Sequence, residues 1–135
     1  PPVVNLFNEK NNGETVLKLN AEGLITSLHD VSLGGIITAV SKMAIKGKKG
    51  FKLNKPKVLI NKFEYFFGED QGRYIIEIEP KNLTKVQKIL KDNSVHYDEI
   101  GLVTEKDIII DKEPIIHIDD LIKSNTNWLV NYMDK

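Results

Sequence analysis

The most constraining feature of this chain is a short apolar segment that runs into a polar turn and two glycines. Residues 28–35 read Leu-His-Asp-Val-Ser-Leu-Gly-Gly, after Leu24 and Ile25 and before a helical pattern that begins near Ile36. A strand that turns sharply into the N-terminus of a helix presents backbone N–H groups to an anion. Glycine allows the backbone to come close to a ligand or a neighbouring strand, because a Cβ atom there would collide. The segment therefore predicts a strand–turn–helix unit that either binds a ligand or makes a close packing contact.

A second polar segment, residues 66–74, reads Phe-Phe-Gly-Glu-Asp-Gln-Gly-Arg-Tyr and precedes a strand-like run rich in isoleucine. Its polar residues are Glu69, Asp70, Gln71 and Arg73. They could form a solvated loop with an internal Arg–carboxylate pair. They could equally lie across a cleft, with Gln71 and Arg73 available for a phosphate group or for a carboxylate of a partner domain.

The two segments together resemble those of one enzyme family. Residues 23–35 are similar to its pattern Gly-Leu-Ile/Val-Thr-x-x-His-Asp-Val-Ser-Asp-Gly-Gly, and residues 67–74 match Phe-Gly-Glu-Asp-Gln-Gly-Arg-Tyr. The chain thus resembles the C-terminal domain of phosphoribosylformylglycinamidine synthase subunit II, in the aminoimidazole ribonucleotide synthetase-like superfamily. The resemblance runs through residue 110 and implies an α+β fold, a layered α/β domain with a mixed sheet and packed helices. It implies that residues 1–135 form a single C-terminal-type domain excised from a longer ligase.

The resemblance also implies an activity for the longer protein. Enzymes of this family use ATP and glutamine-derived ammonia to convert formylglycinamide ribonucleotide into formylglycinamidine ribonucleotide. Phosphoryl transfer activates an amide oxygen, ammonia then displaces the phosphate, and Mg²⁺ neutralises the developing charge. The family's metal ligands and most of its ATP contacts lie in N-terminal domains that are missing here. The chain alone is therefore expected to be inactive, with no catalytic residue, cofactor or metal site of its own.

Partners and a cleft follow from the same resemblance. The expected partners are the N-terminal domains of the same chain, and the glutaminase and small accessory subunits of the parent enzyme. Leu33 stands where the family has Asp, which removes a carboxylate from that position. Phe66 and Phe67 are expected to form an apolar flank that excludes water. The residues predicted to face the cleft are His29, Asp30, Ser32, Gly34, Gly35, Glu69, Asp70, Gln71 and Arg73.

His29 leaves several interpretations open. With Asp30 it could form a metal pair, but such sites need further ligands, and His96 and His117 show no ligand spacing. A Ser-His-Asp hydrolase is not favoured, because no nucleophile-elbow pattern is present. The imidazole could be buried at a strand end and satisfied by backbone, or it could face the cleft of the intact enzyme.

Two other functional classes stay open. The chain could be the C-terminal domain of another superfamily member, such as a hydrogenase-maturation protein or a selenophosphate synthetase, although residues 68–73 argue against this. It could also be a free-standing regulatory domain that binds a small molecule, because the strand–helix–strand pattern over residues 73–104 suits such an α+β fold.

Composition argues against several other functions. Lys and Arg together number 19, as do Asp and Glu, so no attraction to nucleic acid or to an anionic membrane is expected. The absence of cysteine rules out disulfides and thiolate sites. No apolar run approaches the roughly 20 residues of a membrane span, and a cytoplasmic location is expected. The sequence opens on Pro-Pro without an initiator Met, which is typical of a piece cut from a longer protein.

Hydrophobic spacing predicts the elements. Helices are expected over residues 5–22, from Ser32 as N-cap to Gly47, near residues 61–66, and from Asn82 as N-cap through residue 90. Strands are expected over residues 24–28, 51–53, 73–79, 99–104, 107–111 and 114–118. Residues 105–106 are expected to form a tight turn between two of these strands.

The C-terminus and the core complete the prediction. A last helix is expected to begin at Asp119 or Asp120, with Trp128, Leu129 and Tyr132 packed on the domain. The predicted core consists of the apolar residues that share a face of these elements. They are Leu24, Ile25, Leu28, Ile36, Val40, Ala44, Ile75, Ile76, Ile78, Val86, Ile89, Leu90, Val103 and Ile109.

Overall fold

The expected α+β fold with a mixed sheet is confirmed. The computed structural model describes residues 4–54 and 61–134. The sequence leaves residues 56–67 open between helix and strand, and the part of them up to residue 60 lies outside the described residues. The elements, in chain order, are α1 (Leu6–Ala21), β1 (Ser27–Asp30), α2 (Gly35–Gly47), β2 (Gly50–Leu53), α3 (Lys62–Phe67), β3 (Tyr74–Glu77), a 3-10 turn (Pro80–Asn82), α4 (Leu83–Asp92), β4 (Gly101–Thr104), β5 (Asp107–Ile110), β6 (Ile116–His117) and α5 (Ile118–Met133).

The chain divides into two compact units. Unit 1 contains residues 4–40 and 61–99, and unit 2 contains residues 41–54 and 100–134. Strands β1 and β3 form an antiparallel pair in unit 1, whereas β4, β2, β5 and β6 form a four-stranded mixed sheet in unit 2. The strands on either side of α4 therefore belong to different sheets, so residues 73–104 do not form a single strand–helix–strand layer.

Helix α1 begins and ends with the signals that the sequence offers. The side chain of Asn5 accepts a hydrogen bond from the Asn8 N–H at 3.1 Å, which caps the first turn. Gly23 adopts a φ of +65°, and the Leu24 N–H donates to the Leu19 carbonyl at 3.1 Å. This left-handed glycine turns the chain back toward the helix and closes its C-terminus.

The core of unit 1 lies between α1 and α4, and Leu19 and Val86 are fully buried there. Leu24 and Ile25 belong to this core, but the strand predicted from residue 24 is wrong, because β1 begins at Ser27. Leu28, predicted to be buried, is 37% exposed. One face of the two-stranded β1–β3 sheet is open to solvent, so alternate residues of β1 are exposed.

The start of α4 differs from the expectation for Asn82. A 3-10 turn precedes the helix, and the Asn82 side chain makes no capping hydrogen bond. Its amide instead donates to the Leu24 carbonyl at 3.3 Å, which ties the segment before β1 to the helix start. Asn61 does act as an N-cap and accepts the Phe63 N–H at 2.9 Å, so the short helix predicted near residues 61–66 is confirmed.

The sheet of unit 2 buries Phe51, Leu53 and Ile108. Strand β2 pairs parallel with β5 and antiparallel with β4, and β5 pairs antiparallel with β6. Val103, predicted to be in the core, is 52% exposed because β4 is an edge strand. Ile109 is half-buried.

The connection between β4 and β5 is not the tight hairpin turn that the sequence predicts. Residues 105–106 join two strands that flank β2, so they pass over the first residue of β2, Gly50. Two strand spacings span about 9.6 Å, and the three residue steps from Thr104 to Asp107 reach about 10–11 Å when extended. A Cβ atom on Gly50 would collide with the backbone of Asp107 and with the Thr104 hydroxyl, so glycine is required beneath this crossing.

The crossing is also held by an ion pair. The Lys49 ammonium donates to the Glu105 carboxylate at 2.7 Å. This hydrogen bond, together with the positive charge of Lys49, lowers the pKa of Glu105 below its usual range. The pair therefore joins the residue before β2 to the connection that passes over it.

Helix α5 begins earlier than predicted and its C-terminal half is not packed on the domain. His117 is the N-cap, and its Nδ1 accepts the Asp119 N–H at 3.4 Å. Ile118 is fully buried. Trp128 and Tyr132 are 60% and 72% exposed, so the expectation that they pack on the domain is wrong.

Replacement of Leu90 by Ala should lower the free energy of unfolding by about 2–5 kcal/mol, because it removes a side chain that is only 5% exposed and leaves a cavity. Leu28→Ala is the matched control and should cost less than about 1 kcal/mol, because that side chain is partly in solvent. Urea unfolding of both variants measures the difference. Equal losses would contradict this description of the core.

Candidate functional site

The two polar segments of the sequence are in direct contact. Gly35, the first residue of α2, has a φ of +68°. A Cβ atom on Gly35 would lie 2.6 Å from the Phe66 carbonyl oxygen and 2.8 Å from the Gly68 carbonyl oxygen. Only glycine combines this backbone conformation with such a close approach. The start of α2 is therefore seated against the end of α3 and the loop of residues 68–73, called the 68–73 loop below.

A carboxylate of the chain itself accepts a hydrogen bond from the N–H group just before α2. Gly34, with a φ of +81°, donates its N–H to Oε1 of Glu69 at 2.8 Å. Negative charge is favourable at this end of a helix, so the bond stabilises both segments. Ser32, predicted as the N-cap, makes no side-chain hydrogen bond with the described residues. That prediction is wrong because two glycines with positive φ delay the helix until Gly35.

The guanidinium of Arg73 closes the 68–73 loop on itself. It donates to the Gly68 carbonyl at 2.5 Å and to the Asp70 carbonyl at 3.3 Å, and it lies 3.5 Å from the Asp70 carboxylate. The internal Arg–carboxylate pair, one of the two interpretations of this segment, is therefore present. A phosphate ligand at Arg73 stays a prediction, and it would have to compete with these bonds.

An open cleft of about 290 Å³ lies between the end of β1 and the 68–73 loop. Strand pairing sets Asp30 beside Tyr74, and the Val31 N–H extends the pairing by donating to the Arg73 carbonyl at 2.9 Å. Both polar segments contribute to the walls. The lining residues are Asp30, Val31, Ser32, Glu69, Gln71, Gly72, Arg73 and Tyr74.

Four residues predicted to face a cleft lie outside this lining. Gly34 and Gly35 form the contact beside it, and Asp70 pairs with Arg73. The ring of His29 is three-quarters covered, and its Nδ1 lies 2.6 Å from the Asp30 carbonyl oxygen. Nδ1 also lies 3.3 Å from the carboxylate of Asp30, so His29 contacts a residue that lines the cleft. The contact with the carbonyl oxygen matches the interpretation of an imidazole satisfied by backbone.

Helix α1 supports the cleft, a role that sequence reasoning missed. The Asn12 amide donates to the Gly72 carbonyl at 3.0 Å. Gly72 has a φ of +68° and lies against Glu9, while a Cβ atom on Gly13 would lie 3.3 Å from the Tyr74 hydroxyl. The available signal was the run Asn-Asn-Gly inside a helix, where these residues are poor helix formers and need another reason to be present.

The cleft has an acidic excess. Asp30 and Glu69 line it together with Arg73, whose charge is already balanced by Asp70. The amide of Gln71 adds both a donor and acceptors. The arrangement therefore suits a group that offers N–H or O–H donors or carries positive charge, more than it suits a free phosphate.

Two features of the described residues bear on other functions. Across residues 4–54 and 61–134, no three His, Asp or Glu side chains gather closely enough to hold a metal ion. None of the helices described here is both long enough and apolar enough to cross a membrane.

Tyr65 on α3 has a perturbed phenol. Burial raises its pKa above the ordinary value, the negative charge of Asp98 raises it further, and the positive charge of Arg73 lowers it in part. Its ring stands edge-on to Phe66, with 5.2 Å between ring centres. Phe66 itself is buried, so of the two phenylalanines expected to flank the cleft only Phe67 is exposed.

Comparison with known proteins places the chain in a family. The sequence profile described as "AIR synthase related protein, C-terminal domain" matches residues 1–112, so the chain belongs to this family.

Curated relatives carry the name phosphoribosylformylglycinamidine synthase subunit PurL. The protein of this name from Pelagibacter ubique is 66% identical over 134 residues, which is 99% of this chain and 18% of that protein. The one from Nitrobacter hamburgensis is 37% identical over 98% of the chain and 18% of its own length. The chain thus spans less than one fifth of the length of these relatives.

Solved structures agree on the fold. A Thermotoga maritima PurL complexed with FGAR superposes with a TM-score of 0.75 at 21% identity, covering 90% of this chain and 22% of that one. A Thermotoga maritima PurL complexed with ATP gives a TM-score of 0.69 at 20% identity, over 84% and 21% of the two chains.

Replacement of Gly35 by Ala should lower the free energy of unfolding by about 2–4 kcal/mol, because the new Cβ meets backbone atoms at a left-handed φ. Gly47→Ala, at the other end of α2, is the matched control, since a Cβ atom there meets nothing within 4 Å. It should stabilise by up to about 1 kcal/mol. Chemical denaturation measures both, and a tolerated Gly35→Ala would contradict the close contact.

The raised pKa of Tyr65 predicts a loss of stability in alkali. The unfolded chain releases the phenol proton near the ordinary pKa of 10, before the folded chain does. The contribution of Tyr65 is therefore complete below about pH 10 and is lost as pH rises through the folded-state pKa. Unfolding curves across this range should show a shallower alkaline decline for Tyr65→Phe. An unchanged decline would show that the phenol is not desolvated.

Proposed function

We propose that this chain is the C-terminal domain of an ATP-dependent amidoligase of purine biosynthesis. The whole enzyme would convert formylglycinamide ribonucleotide into formylglycinamidine ribonucleotide with glutamine-derived ammonia. The observation that carries the proposal is 66% identity, over 99% of the chain, with a protein named phosphoribosylformylglycinamidine synthase subunit PurL. Neither a hydrogenase-maturation protein nor a selenophosphate synthetase is favoured by the relatives that match, and the same holds for a free-standing sensor.

The domain would contribute one wall of a larger ligand cleft. Leu33, beside the cleft turn, is 78% exposed, and Phe67, beside the 68–73 loop, is 53% exposed. Apolar side chains in such positions are typical of a surface that another domain covers. In this proposal, the preceding domain of the same polypeptide docks here and the acidic cleft receives its N–H or O–H donors, or those of the substrate.

The described polar groups around the cleft do not fit a triphosphate–Mg²⁺ site. The Gly34 N–H is engaged by Glu69, and Arg73 is engaged by its own loop. A phosphate cradle needs such donors free. Structures of Thermotoga maritima PurL are described as complexed with ATP and with AMPPCP. For the longer protein we propose that ATP and Mg²⁺ bind mainly outside residues 1–135.

The proposed partners follow from the same relatives. A structure described as PurLQS from Thermotoga maritima indicates that proteins of this kind assemble with other subunits. We therefore propose a glutaminase and a small accessory subunit as partners of the parent enzyme. We also propose a cytoplasmic location and no binding to nucleic acid or membrane, consistent with 19 basic and 19 acidic residues.

The test compares the whole protein with the isolated chain. With formylglycinamide ribonucleotide, ATP, Mg²⁺ and ammonia, the whole protein should form the amidine and ADP, and the 135-residue chain alone should form neither. In the whole protein, Gln71→Ala should lower kcat/KM by about tenfold, a loss of about 1.4 kcal/mol in transition-state stabilisation. Gln87→Ala on α4 is the matched control and should change it less than about twofold.

The outcomes separate the parts of the proposal. No amidine from the whole protein would overturn the activity. Turnover by the isolated chain would overturn its inactivity. Equal effects of Gln71→Ala and Gln87→Ala on kcat/KM would show that the cleft is not part of the active site.

A further inference from the structure

Helix α5 is anchored at one end only. Ile118 is fully buried at its start, and Leu121 and Ile122 are half-buried one turn later. The Lys106 ammonium lies 3.4 Å from the Asp119 carboxylate, which adds a contact at the same end. The N-terminal half of the helix is therefore held by unit 2.

The C-terminal half of α5 carries an apolar stripe that unit 2 leaves largely exposed. Trp128 and Tyr132 lie one turn apart, as do Leu129 and Met133, so all four share one side of the helix. They are 60%, 72%, 48% and 75% exposed, respectively. These four residues are called the α5 apolar face below. Because the stripe continues the spacing of the buried half, it has the pattern of a packed helix without its partner.

The chemistry of this face indicates a protein partner. Residues 124–133 contain no charged side chain, and α5 as a whole carries Asp119, Asp120 and only one basic residue, Lys123. A helix that lies on an anionic membrane needs a basic polar face, which α5 lacks. Trp, Tyr and Met, by contrast, are enriched in the cores of protein interfaces, where charge is depleted.

The size of the face favours a partner in the same polypeptide. Four side chains of this kind offer on the order of 500 Å² of surface, below the roughly 800 Å² per partner of a stable interface between separate chains. Covalent linkage raises the effective concentration of a second segment, so a small contact can be occupied within one chain.

Sequence comparison places α5 where such a contact would be needed. The domain profile ends at residue 112, before α5. The PurL relatives match 98–99% of this chain, α5 included, and are more than five times as long. The helix is therefore an addition to the domain that longer proteins share.

We infer that the α5 apolar face docks against the part of the longer polypeptide that precedes residue 1. The inference rests on the proposed function in that the chain is the C-terminal domain of that longer protein, which places the rest of the polypeptide before residue 1. It assigns α5 the role of a second contact, built from residues separate from the polar cleft.

Trp128 is the only tryptophan in the 135 residues, which allows a direct test. The 135-residue chain is produced with fluorotryptophan and mixed with the unlabelled preceding part of the polypeptide. Fluorine NMR should show one resonance that moves on mixing and loses most of its H₂O/D₂O isotope shift. Tyr132→Ser should weaken this binding at least tenfold, whereas Asn127→Ser, on the opposite side of the helix, should change it less than twofold.

Each alternative occupant predicts a different result. A resonance that stays solvent-sensitive in the mixture, or no binding at all, overturns the inference. Loss of the isotope shift on raising the concentration of the labelled chain alone assigns the face to a second copy, and loss on adding anionic vesicles assigns it to a membrane. Thermal melts of the isolated variants check that both still fold. Amidine formation is assayed separately, so a protein without that activity whose Trp128 is shielded refutes the proposed function and leaves this inference standing.

Discussion

The polar cleft depends on two stretches of backbone that touch with no side chain between them. The missing Cβ of Gly35 allows the first turn of α2 to rest on the carbonyl groups at the end of α3. That contact brings the Gly34 N–H within reach of Glu69, which in turn fixes the 68–73 loop. The end of β1 then lies opposite this loop and the cleft exists between them. A larger side chain at residue 35 would separate the segments and remove the cleft with them.

The same arrangement explains why a turn with anion-binding geometry is occupied by the protein itself. A carboxylate at the start of α2 satisfies a donor that would otherwise need water or a ligand. Arg73 does likewise for the carbonyl groups of its loop. The turn therefore serves mainly to hold the two polar segments together. The polar groups that remain available to a partner are Asp30, Ser32 and Gln71 along the open side. A partner at this edge would bind by donating hydrogen bonds to acceptors of the cleft, while Arg73 holds the 68–73 loop in place.

The sequence predicted features whose causes are local. The helices predicted over residues 5–22 and near residues 61–66 form, each with an asparagine cap, and the apolar spacing of α4 places Val86 and Leu90 in the core. Leu24 and Ile25 were read as a strand because apolar residues in buried irregular backbone have the same composition as a buried strand. The sequence leaves His29 open between a backbone-satisfied imidazole and a cleft residue, because alternation along a strand gives two faces without saying which one meets the cleft.

Features that depend on distant segments were missed. The bond from Gly34 to Glu69 joins residues 35 positions apart, and no local rule pairs them. Trp128 is predicted to pack on the domain because its spacing is that of a packed helix. The structure confirms a helix with this spacing and leaves Trp128 exposed on it.

The crossing over Gly50 has a consequence for how unit 2 is assembled. Strands β4 and β5 follow each other closely in the chain, yet β2 lies between them. They cannot first pair as a hairpin and admit β2 later without breaking that pairing, so the sheet has to wait for a contact that is remote in sequence. During synthesis β2 emerges long before either neighbour. Until residues 101–110 leave the ribosome, Phe51 and Leu53 belong to a strand with both hydrogen-bonding edges unpaired, which leaves it open to wrong association.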